Sequence, residues 1–430
     1  MIFTLPIEIC RDEIFKYLSA KELCITKFVC KQAKTIVDEL LKVDIHRKRL
    51  LDAEIPKEII NSKFIKEVCQ YDHSTLEKFK NIFIFSKYSA RMKFLNLNLD
   101  INTEELSIYD CNLTSLPKEI DKLINLKRLS LNNNRLTIFP QEKSSLRKLR
   151  KFQLTSNELI TVPKEIFNFV RLFTLYLSDN KLTSLPGEIG KLVQLTCLDL
   201  SDNKLASLPS EIGKLTQLLR LNLNDNKLAS LPGEIGKLTK LKYLYLGNNN
   251  LIDLPKEIGE CIQMRDLNLQ NNQIASFPTE IKKCNLGMIN LQCNQLTNMP
   301  IEICYITKLQ ILYLGKNSIT SLPKEIENLI NLRHLNVSNN YLTNIPEEIE
   351  NLINLRVLDV SSNHLTNIPG EIGKLANLFD FYVDDNRLIT LPREIGNLNA
   401  LKKLYLFKNC ITSLPINFKR LIRQRTFIKT

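Results

Sequence analysis

The chain has 430 residues, and 59 lysines and arginines against 46 aspartates and glutamates give a formal net charge of +13 at pH 7. With 44% apolar and 24% charged residues, the composition excludes a mainly disordered protein, and the length exceeds the ~250–300 residues at which single cores stop growing. The 11 cysteines are scattered, which is unlike the dense disulfide framework of a small secreted domain and favours a reducing compartment.

The amino-terminal residues lack the apolar stretch that directs secretion. Glu8, Arg11, Asp12 and Glu13 interrupt the first turns, so we expect no signal peptide. No later run of ~18 uncharged apolar residues predicts a membrane span. We therefore expect a protein of the cytosol that does not bind membranes, although the positive charge makes nucleic acid a partner to be tested.

Residues 1–42 carry the patterns of three short helices. The first begins after Thr4, an N-cap residue, and the second begins at the capping box Ser19–Glu22. The third has an apolar stripe between Val29 and Leu40. Three short helices make a marginal core, so we expect a partner to complete it.

The motifs LPIEI, IFKYL, ELC and VCK in this segment resemble the F-box family over residues 3–42. The resemblance implies that the segment binds a Skp-type adaptor protein. Ala33 departs from the family, which commonly has tryptophan there, and the alternative is that the helices only cap a repeat array. The residues to which the resemblance gives the adaptor contact are Leu5, Pro6, Ile9, Ile14, Leu18, Leu23, Cys24, Val29 and Cys30.

Residues 43–100 read as a helical connector that ends in a cap for the residues after position 100. A capping box at Ser74–Glu77 predicts a helix, and Phe94–Leu99 is a candidate first irregular strand. The basic run HRKRL is interpreted as a solvated helix face.

Residues 101–415 repeat with a period of 23, read as LxxLxLxxNxLxxLPxEIxxL. One interval has 22 residues, between Pro278 and Asn294, and Cys111 replaces the asparagine of the first unit. Fourteen of the 16 prolines occupy one register of the period. The recurring asparagines are Asn134, Asn157, Asn180, Asn203, Asn226, Asn249, Asn272, Asn294, Asn317, Asn340, Asn363, Asn386 and Asn409.

Each unit has two physical halves. The alternation in LxLxxN predicts a short strand with leucines on one face, and the asparagine side chain is expected to bond the backbone of neighbouring turns. The proline sets a bend, and EIxxL predicts a short helical or extended return with buried Ile and Leu. The short unit should lose its missing residue from that return, which leaves the sheet undisturbed.

This pattern resembles the leucine-rich repeats of the 23-residue type, over about 14 units. The resemblance implies an α/β solenoid, a leucine-rich repeat horseshoe with a parallel sheet on its concave face, preceded by the three-helix F-box-like domain. At ~4.8 Å per strand the sheet would run about 65 Å. Residues 416–430 read as a basic tail, and we expect no capping helix in it.

The sequence shows no pattern typical of a catalytic site or of a metal site. The four histidines lie in different units or in the connector, and no Ser or Cys has a local nucleophile signature. No CxxC pair provides metal-ligand spacing. We therefore expect a protein that is not an enzyme and that has no cofactor and no metal.

The concave positions, at six, four, two and one residues before each asparagine, hold six basic and eleven acidic residues. Because this balance opposes the charge of the whole chain, it disfavours nucleic acid and favours a protein ligand. Tyrosine, methionine and aliphatic side chains are expected to form a nearly continuous stripe there, which is the candidate ligand surface. The alternative is that tyrosine is a good strand residue repeated by duplication. The predicted partner-binding residues are Tyr176, Tyr243, Tyr245, Met288, Ile311, Tyr313 and Val357.

Three further aromatic residues, Tyr382, Tyr405 and Phe407, either belong to that stripe or close the carboxy-terminal end of the core.

Taken with the resemblances, the sequence predicts a substrate-recognition subunit of a Skp/cullin/F-box ubiquitin ligase, monomeric outside its complex, in the cytosol of a eukaryotic cell or of a host cell. The alternative is a scaffold that binds a signalling protein and uses its helical start as a cap.

Overall fold

The computed structural model describes residues 102–109, 113–116, 118–137, 146–424 and 426–429. All nine residues assigned to the adaptor, from Leu5 to Cys30, lie outside the described residues, as do the connector at 43–100 and Cys111.

The described residues form a sheet of fifteen strands that follow one another in chain order. Every pairing for which a register is defined is parallel, as in Tyr243↔Asp266. The strands are β1 Glu105–Ser107, β2 Arg128–Ser130, β3 Lys151–Gln153, β4 Thr174–Tyr176, β5 Cys197–Asp199, β6 Arg220–Asn222, β7 Tyr243–Tyr245, β8 Asp266–Asn268, β9 Met288–Asn290, β10 Ile311–Tyr313, β11 His334–Asn336, β12 Val357–Asp359, β13 Asp380–Tyr382, β14 Lys403–Tyr405 and β15 Phe427–Lys429.

The chain divides into two compact units. The first includes the described residues up to Thr183 together with Lys191–Leu198, and it holds β1 to β4. The second comprises Ser184–Gly190 and the residues from Asp199 onward, and it holds β6 to β15. Most of the predicted partner-binding residues therefore belong to the second unit.

The central residue of each strand is buried, and its two neighbours face the other way. In β7, Leu244 is fully buried while Tyr243 and Tyr245 are half-exposed, and Leu246 after the strand is fully buried again. This is the alternation that LxL predicts. The sheet therefore has a leucine-rich core on one side and an open face, formed by the first and third strand residues, on the other.

The recurring asparagine forms hydrogen bonds between adjacent repeats, as the sequence predicts. Asn249 is 7% exposed, and its Nδ2 donates to the carbonyls of Leu223 in the preceding repeat (2.9 Å) and of Leu246 (3.0 Å). Its Oδ1 accepts the backbone N–H of Leu228 at 3.0 Å. One side chain thus satisfies backbone groups that the tight bend would otherwise bury unpaired.

In the repeats whose return the structure describes, the return after the proline is a 3-10 helix, which decides between the helical and extended alternatives. Ile235 N–H donates to Pro232 O at 3.0 Å and Leu238 N–H to Ile235 O at 3.1 Å, and both side chains are buried. The 3-10 helices are Lys118–Lys122, Lys164–Asn168, Gly187–Lys191, Ser210–Lys214, Gly233–Lys237, Lys256–Glu260, Thr279–Lys283, Ile301–Tyr305, Lys324–Asn328, Glu347–Asn351, Gly370–Lys374, Arg393–Asn397 and Ile416–Phe418.

Adjacent returns approach closely at Gly259, the residue after the buried isoleucine of the return KEIGE. A Cβ atom placed on Gly259 would lie 2.5 Å from the carbonyl oxygen of Glu280 in the next repeat. Because that neighbour is backbone, it cannot move aside as a side chain could. Gly259 therefore permits the close approach of these two returns, whereas other repeats carry a side chain at the same position, such as Lys282 or Glu327.

The short repeat keeps the strands in register. Asp266 pairs with Met288, a separation of 22 residues, whereas the preceding pair, Tyr243 and Asp266, is 23 apart. The chain instead straightens after the 3-10 helix, because Cys284 has ψ 148° where Cys261 has ψ 57°. The missing residue is thus lost from the return, and the prediction that the sheet is undisturbed is confirmed.

The carboxy-terminal residues contradict the expectation that no capping helix follows the repeats. Helix α1, Lys419–Arg423, buries Leu421, and β15 pairs in parallel with β14. A helix of five residues that buries little more than one leucine shows no apolar periodicity, which is why the sequence did not indicate it. Within the described ranges, no helix is long and apolar enough to cross a membrane.

Candidate protein-binding face

The open face of the second unit presents two rows of side chains, because strand pairing sets equivalent residues side by side. The first row consists of Arg220, Tyr243, Asp266, Met288, Ile311, His334, Val357, Asp380 and Lys403. The second row consists of Asn222, Tyr245, Asn268, Asn290, Tyr313, Asn336, Asp359, Tyr382 and Tyr405.

An apolar strip occupies the middle of the first row. Met288 and Ile311 are paired neighbours, and His334 separates Ile311 from Val357. Asp266 adjoins Met288 at one end of the strip, and at the other end an aspartate follows Val357. At ~4.8 Å per strand, about 24 Å separates the two carboxylates. The strip is therefore a largely apolar surface with His334 inside it and a carboxylate at each end.

The predicted stripe is not continuous, which corrects the expectation from sequence. Asp266 and Asn268 of β8 separate Tyr243 and Tyr245 from Met288. The positions of the tyrosines were visible in the sequence, but the polar residues of the intervening strand divide the surface into a tyrosine pair and the apolar strip. Tyr313 lies on the strand of Ile311 and adds an aromatic ring beside that strip.

Tyr176, the remaining predicted contact, belongs to the first unit. The Nζ atom of Lys151 lies 5.6 Å from the centroid of its ring. Tyr176 is therefore not a member of the strip or of the tyrosine pair, which belong to the second unit.

The tyrosine pair on β7 is held by a cation. The guanidinium carbon of Arg220 lies 4.9 Å from the ring centroid of Tyr243 and 5.9 Å from that of Tyr245. Burial raises the pKa of the Tyr245 phenol, so this group remains a neutral hydrogen-bond donor well above neutral pH. Burial also raises the pKa of Asp266, with Arg265 and Arg220 opposing the rise. Such cation–π contacts contribute about 0.5–1 kcal/mol at exposed sites and orient the rings.

Acidic residues dominate the open face of the second unit. Asp359 accepts hydrogen bonds from Asn336 Nδ2 at 2.9 Å and from the Ser361 hydroxyl at 2.6 Å, while Lys403 Nζ lies 3.3 Å from Asp380. The four basic residues there are Arg220, Lys316, Lys403 and Lys408. The eight acidic residues there are Asp199, Asp202, Asp225, Asp266, Asp359, Asp380, Asp384 and Asp385. The surplus of carboxylates makes the face complementary to a basic partner surface.

The last aromatic residues of the array pack on one another and against β15. Tyr382 and Tyr405 stack with ring centroids 4.8 Å apart, and Tyr405 lies 5.8 Å from Phe427. Lys429 Nζ lies 4.8 Å from the ring of Phe407. Tyr382, Tyr405 and Phe407 are half-buried on the open face, and β15 places an aromatic ring and a lysine beside the last two of them. Sequence reasoning missed Phe427, because the strand that carries it stands outside the repeat pattern.

The buried cysteines fill the core. Burial raises the pKa of Cys261, Cys284 and Cys304 to about 12, and Cys261 Sγ donates to Ile235 O at 3.3 Å. A thiol with so high a pKa is a poor nucleophile at neutral pH. In the part of the chain that the structure describes, no group of His, Cys, Asp or Glu side chains could hold a metal ion.

Known protein families match both the repeats and the amino-terminal segment of the chain. Residues 161–251 and 320–423 match the leucine-rich repeat region family, and residues 284–342 match the leucine rich repeat family. Residues 2–43 match the F-box domain family. No significant match was found among curated protein sequences.

Solved structures give the same fold. A leucine-rich repeat protein of Leptospira interrogans is 34% identical with a TM-score of 0.68, covering 84% of this chain and 98% of that one. An internalin of Listeria monocytogenes is 24% identical with a TM-score of 0.60, covering 76% and 86%. A plant peptide hormone receptor in complex with RGF2 is 26% identical with a TM-score of 0.54, covering 74% and 62%.

These matches confirm the two resemblances that the sequence motifs carry. F-box domains and leucine-rich repeats are typically non-catalytic interaction modules, and an F-box implies a Skp-type adaptor as partner. The chain is therefore a member of the leucine-rich repeat family that also carries an F-box domain, and so combines two protein-interaction modules.

Proposed function

We propose that this protein is the substrate-recognition subunit of a Skp/cullin/F-box-type ubiquitin ligase in a eukaryotic cytosol. The observation that carries the proposal is the joining, in one chain, of an F-box match at residues 2–43 to a repeat array with an acidic, partly apolar open face. The F-box would bind the adaptor, and the open face would bind the target protein.

The chain would perform no chemistry of its own. Tethering a target to the ligase raises the effective concentration of its lysines near a charged ubiquitin-conjugating enzyme. The residues proposed for the adaptor contact are Leu5, Pro6, Ile9, Ile14, Leu18, Leu23, Cys24, Val29 and Cys30.

The open face limits which targets fit. The apolar strip of Met288, Ile311 and Val357 favours apolar side chains at the centre of the bound segment. The carboxylates of Asp266 and Asp380 at its ends favour basic residues on both sides. Since an extended chain advances ~3.3 Å per residue, two basic residues about seven positions apart would span the strip. The tyrosine pair of β7 would supply further contact area.

Adaptor binding is tested by co-purification of the full chain with a Skp-type adaptor. We expect a stable complex with the natural chain and its loss in the double variant Leu5→Ala, Pro6→Ala. The matched control is Ile311→Asp, which alters the open face and should retain the adaptor. A natural chain that fails to bind any Skp-type adaptor would refute the ligase proposal.

Target binding is tested by comparing the proteins recovered from a eukaryotic lysate with two aspartate variants. Ile311→Asp places a charge in the apolar strip and should abolish recovery of the target. Ile353→Asp is the control, because Ile353 is 57% exposed on a turn away from the open face. Equal recovery by both variants would remove the strip from the binding site.

A scaffold that binds a signalling protein predicts a different outcome from the same materials. Its helical start would act only as a cap, so deletion of residues 1–42 would lower stability and leave partner binding intact. No adaptor would then co-purify with the natural chain.

A further inference from the structure

The short repeat leaves a notch at the edge of the sheet where the strands begin. In the preceding repeat, two turn residues, Ile262 and Gln263, stand between the buried Cys261 and Met264, but only Asn285 stands between Cys284 and Leu286. The residue before β9 is also the smallest, Gly287. Compared with its neighbours, this one repeat therefore lacks both a turn residue and the side chain that precedes the strand.

Gly287 is not required by the backbone. No glycine among the described residues has a positive φ, and a Cβ atom on Gly287 would meet only the carbonyl oxygen of Arg265, at 3.8 Å. This position carries long side chains in the neighbouring repeats, Lys242, Arg265 and Gln310. Since packing would accept a larger residue, the glycine serves to keep the space open.

The resulting cavity has a volume of about 680 Å³ and draws its lining from the consecutive repeats that contain β7 to β10. Three cations, Lys242, Arg265 and Lys308, surround it, and Asp266 is the one carboxylate in its lining. Lys308 Nζ donates to Asn285 Oδ1 at 2.9 Å, which fixes the ammonium group at the rim. The notch is therefore a positive site beside a face that is otherwise rich in carboxylates.

The notch also opens onto the apolar strip. Met288 and Ile311 both line it, and both are half-buried on the open face. An occupant can therefore place a charged group in the notch and an adjacent apolar group on the strip without leaving the surface.

We propose that the notch binds an acidic side chain of a protein partner, Asp or Glu, whose neighbouring apolar residue packs on Met288 and Ile311. This proposal rests on the proposed function in one respect, since the partner is the protein held on the open face. Carboxylates outnumber cations on the rest of that face, whereas the notch gathers three cations around one carboxylate, so an acidic group is favoured there. The notch would thereby fix the register of the bound segment.

The test selects a phage-displayed library of random heptapeptides on the full-length protein. We expect enrichment of peptides in which Asp or Glu adjoins Leu, Ile, Met or Phe. A labelled synthetic peptide of the enriched sequence should bind about tenfold more weakly to Gly287→Gln, which fills the notch, and to the double variant Lys242→Glu, Lys308→Glu, a change of about 1.4 kcal/mol. Arg333→Gln, the equivalent edge position two repeats further on, should bind as the natural chain does.

Two results would overturn the proposal: no enrichment of acidic peptides, or equal affinity for the natural chain and Gly287→Gln. If the enriched peptides depend on Ile311 and are indifferent to Gly287, the open face remains a binding surface and the notch proposal alone fails. Thermal unfolding of Gly287→Gln should match the natural chain, because the new side chain enters open space.

Discussion

Replacing Asn249 by alanine tests whether the asparagine ladder holds the repeats together. The substitution removes four hydrogen bonds: Nδ2 loses the carbonyls of Leu223, Leu246 and Gly247, and the N–H of Leu228 loses its acceptor. The new side chain is smaller and introduces no clash. Any change in stability therefore comes from backbone groups that lose partners and from the small void.

The pattern of the ladder sets the size of the effect. The carbonyl of Leu223 keeps a bond from Asn226 Nδ2 at 3.2 Å, and that of Leu246 keeps one from the next asparagine at 2.9 Å. The carbonyl of Gly247 likewise keeps the N–H of Asp225 at 2.8 Å. The N–H of Leu228 has no such second partner. One buried donor left unpaired costs about 1–3 kcal/mol, and the three weakened acceptors together add about 1 kcal/mol. We expect a loss of about 2–4 kcal/mol in the free energy of unfolding.

The assay is urea denaturation followed by circular dichroism, combined with hydrogen exchange of the peptides around Leu228. Because repeat arrays unfold with limited cooperativity, the exchange measurement shows whether the loss is local. Asn250→Ala is the matched control, since Asn250 is exposed, and should change stability by less than about 0.5 kcal/mol. An equally small change for Asn249→Ala, with normal protection of the Leu228 amide, would refute the reasoning.

Three further predictions concern packing, ionisation and thiol reactivity. Gly259→Ala should lower the free energy of unfolding by about 1–3 kcal/mol because its Cβ would meet backbone, whereas Gly287→Ala should leave the urea midpoint nearly unchanged. Burial raises the pKa of Asp266, so the charged carboxylate destabilises the folded chain, and this cost appears as pH rises through the raised value. Asp266→Asn should therefore be more stable than the natural chain at about pH 7 and equal to it at about pH 3. A loss of stability at neutral pH would contradict this. In native protein, mass spectrometry should find exposed Cys410 alkylated and buried Cys304 unmodified until denaturant is added.

The repeat architecture was predictable because a fixed period leaves little freedom. Leucines two residues apart require a strand, a buried asparagine beside them requires backbone partners, and proline begins the return. The structure bears out each step in β7, Asn249 and the return at Gly233–Lys237. Even the place of the missing residue was predictable, since the strands alone could not absorb it.

The features that escaped prediction stand outside the period or depend on neighbours in space. β15 belongs to no repeat, so nothing in the pattern indicated that Phe427 would stack beside Tyr405. The interruption of the aromatic stripe by Asp266 arises from strand order, which becomes visible only when equivalent positions are set side by side. The notch likewise needs a short turn and Gly287 to meet at one edge.

Comparison of neighbouring repeats bears on whether the tyrosines of β7 are copies made by duplication. The returns at 187–192 and 233–238 are identical, GEIGKL, so these units share a recent origin in their packing half. Their open faces nevertheless differ. The strand after the first return begins with Cys197 and the strand after the second begins with Tyr243, while the strand between them begins with Arg220. Duplication therefore accounts for the returns and leaves the tyrosines unexplained. Exposed positions are free of the packing that keeps the returns alike, so they diverge with or without a ligand, and the variants of the strip and of the notch decide whether the open face binds one.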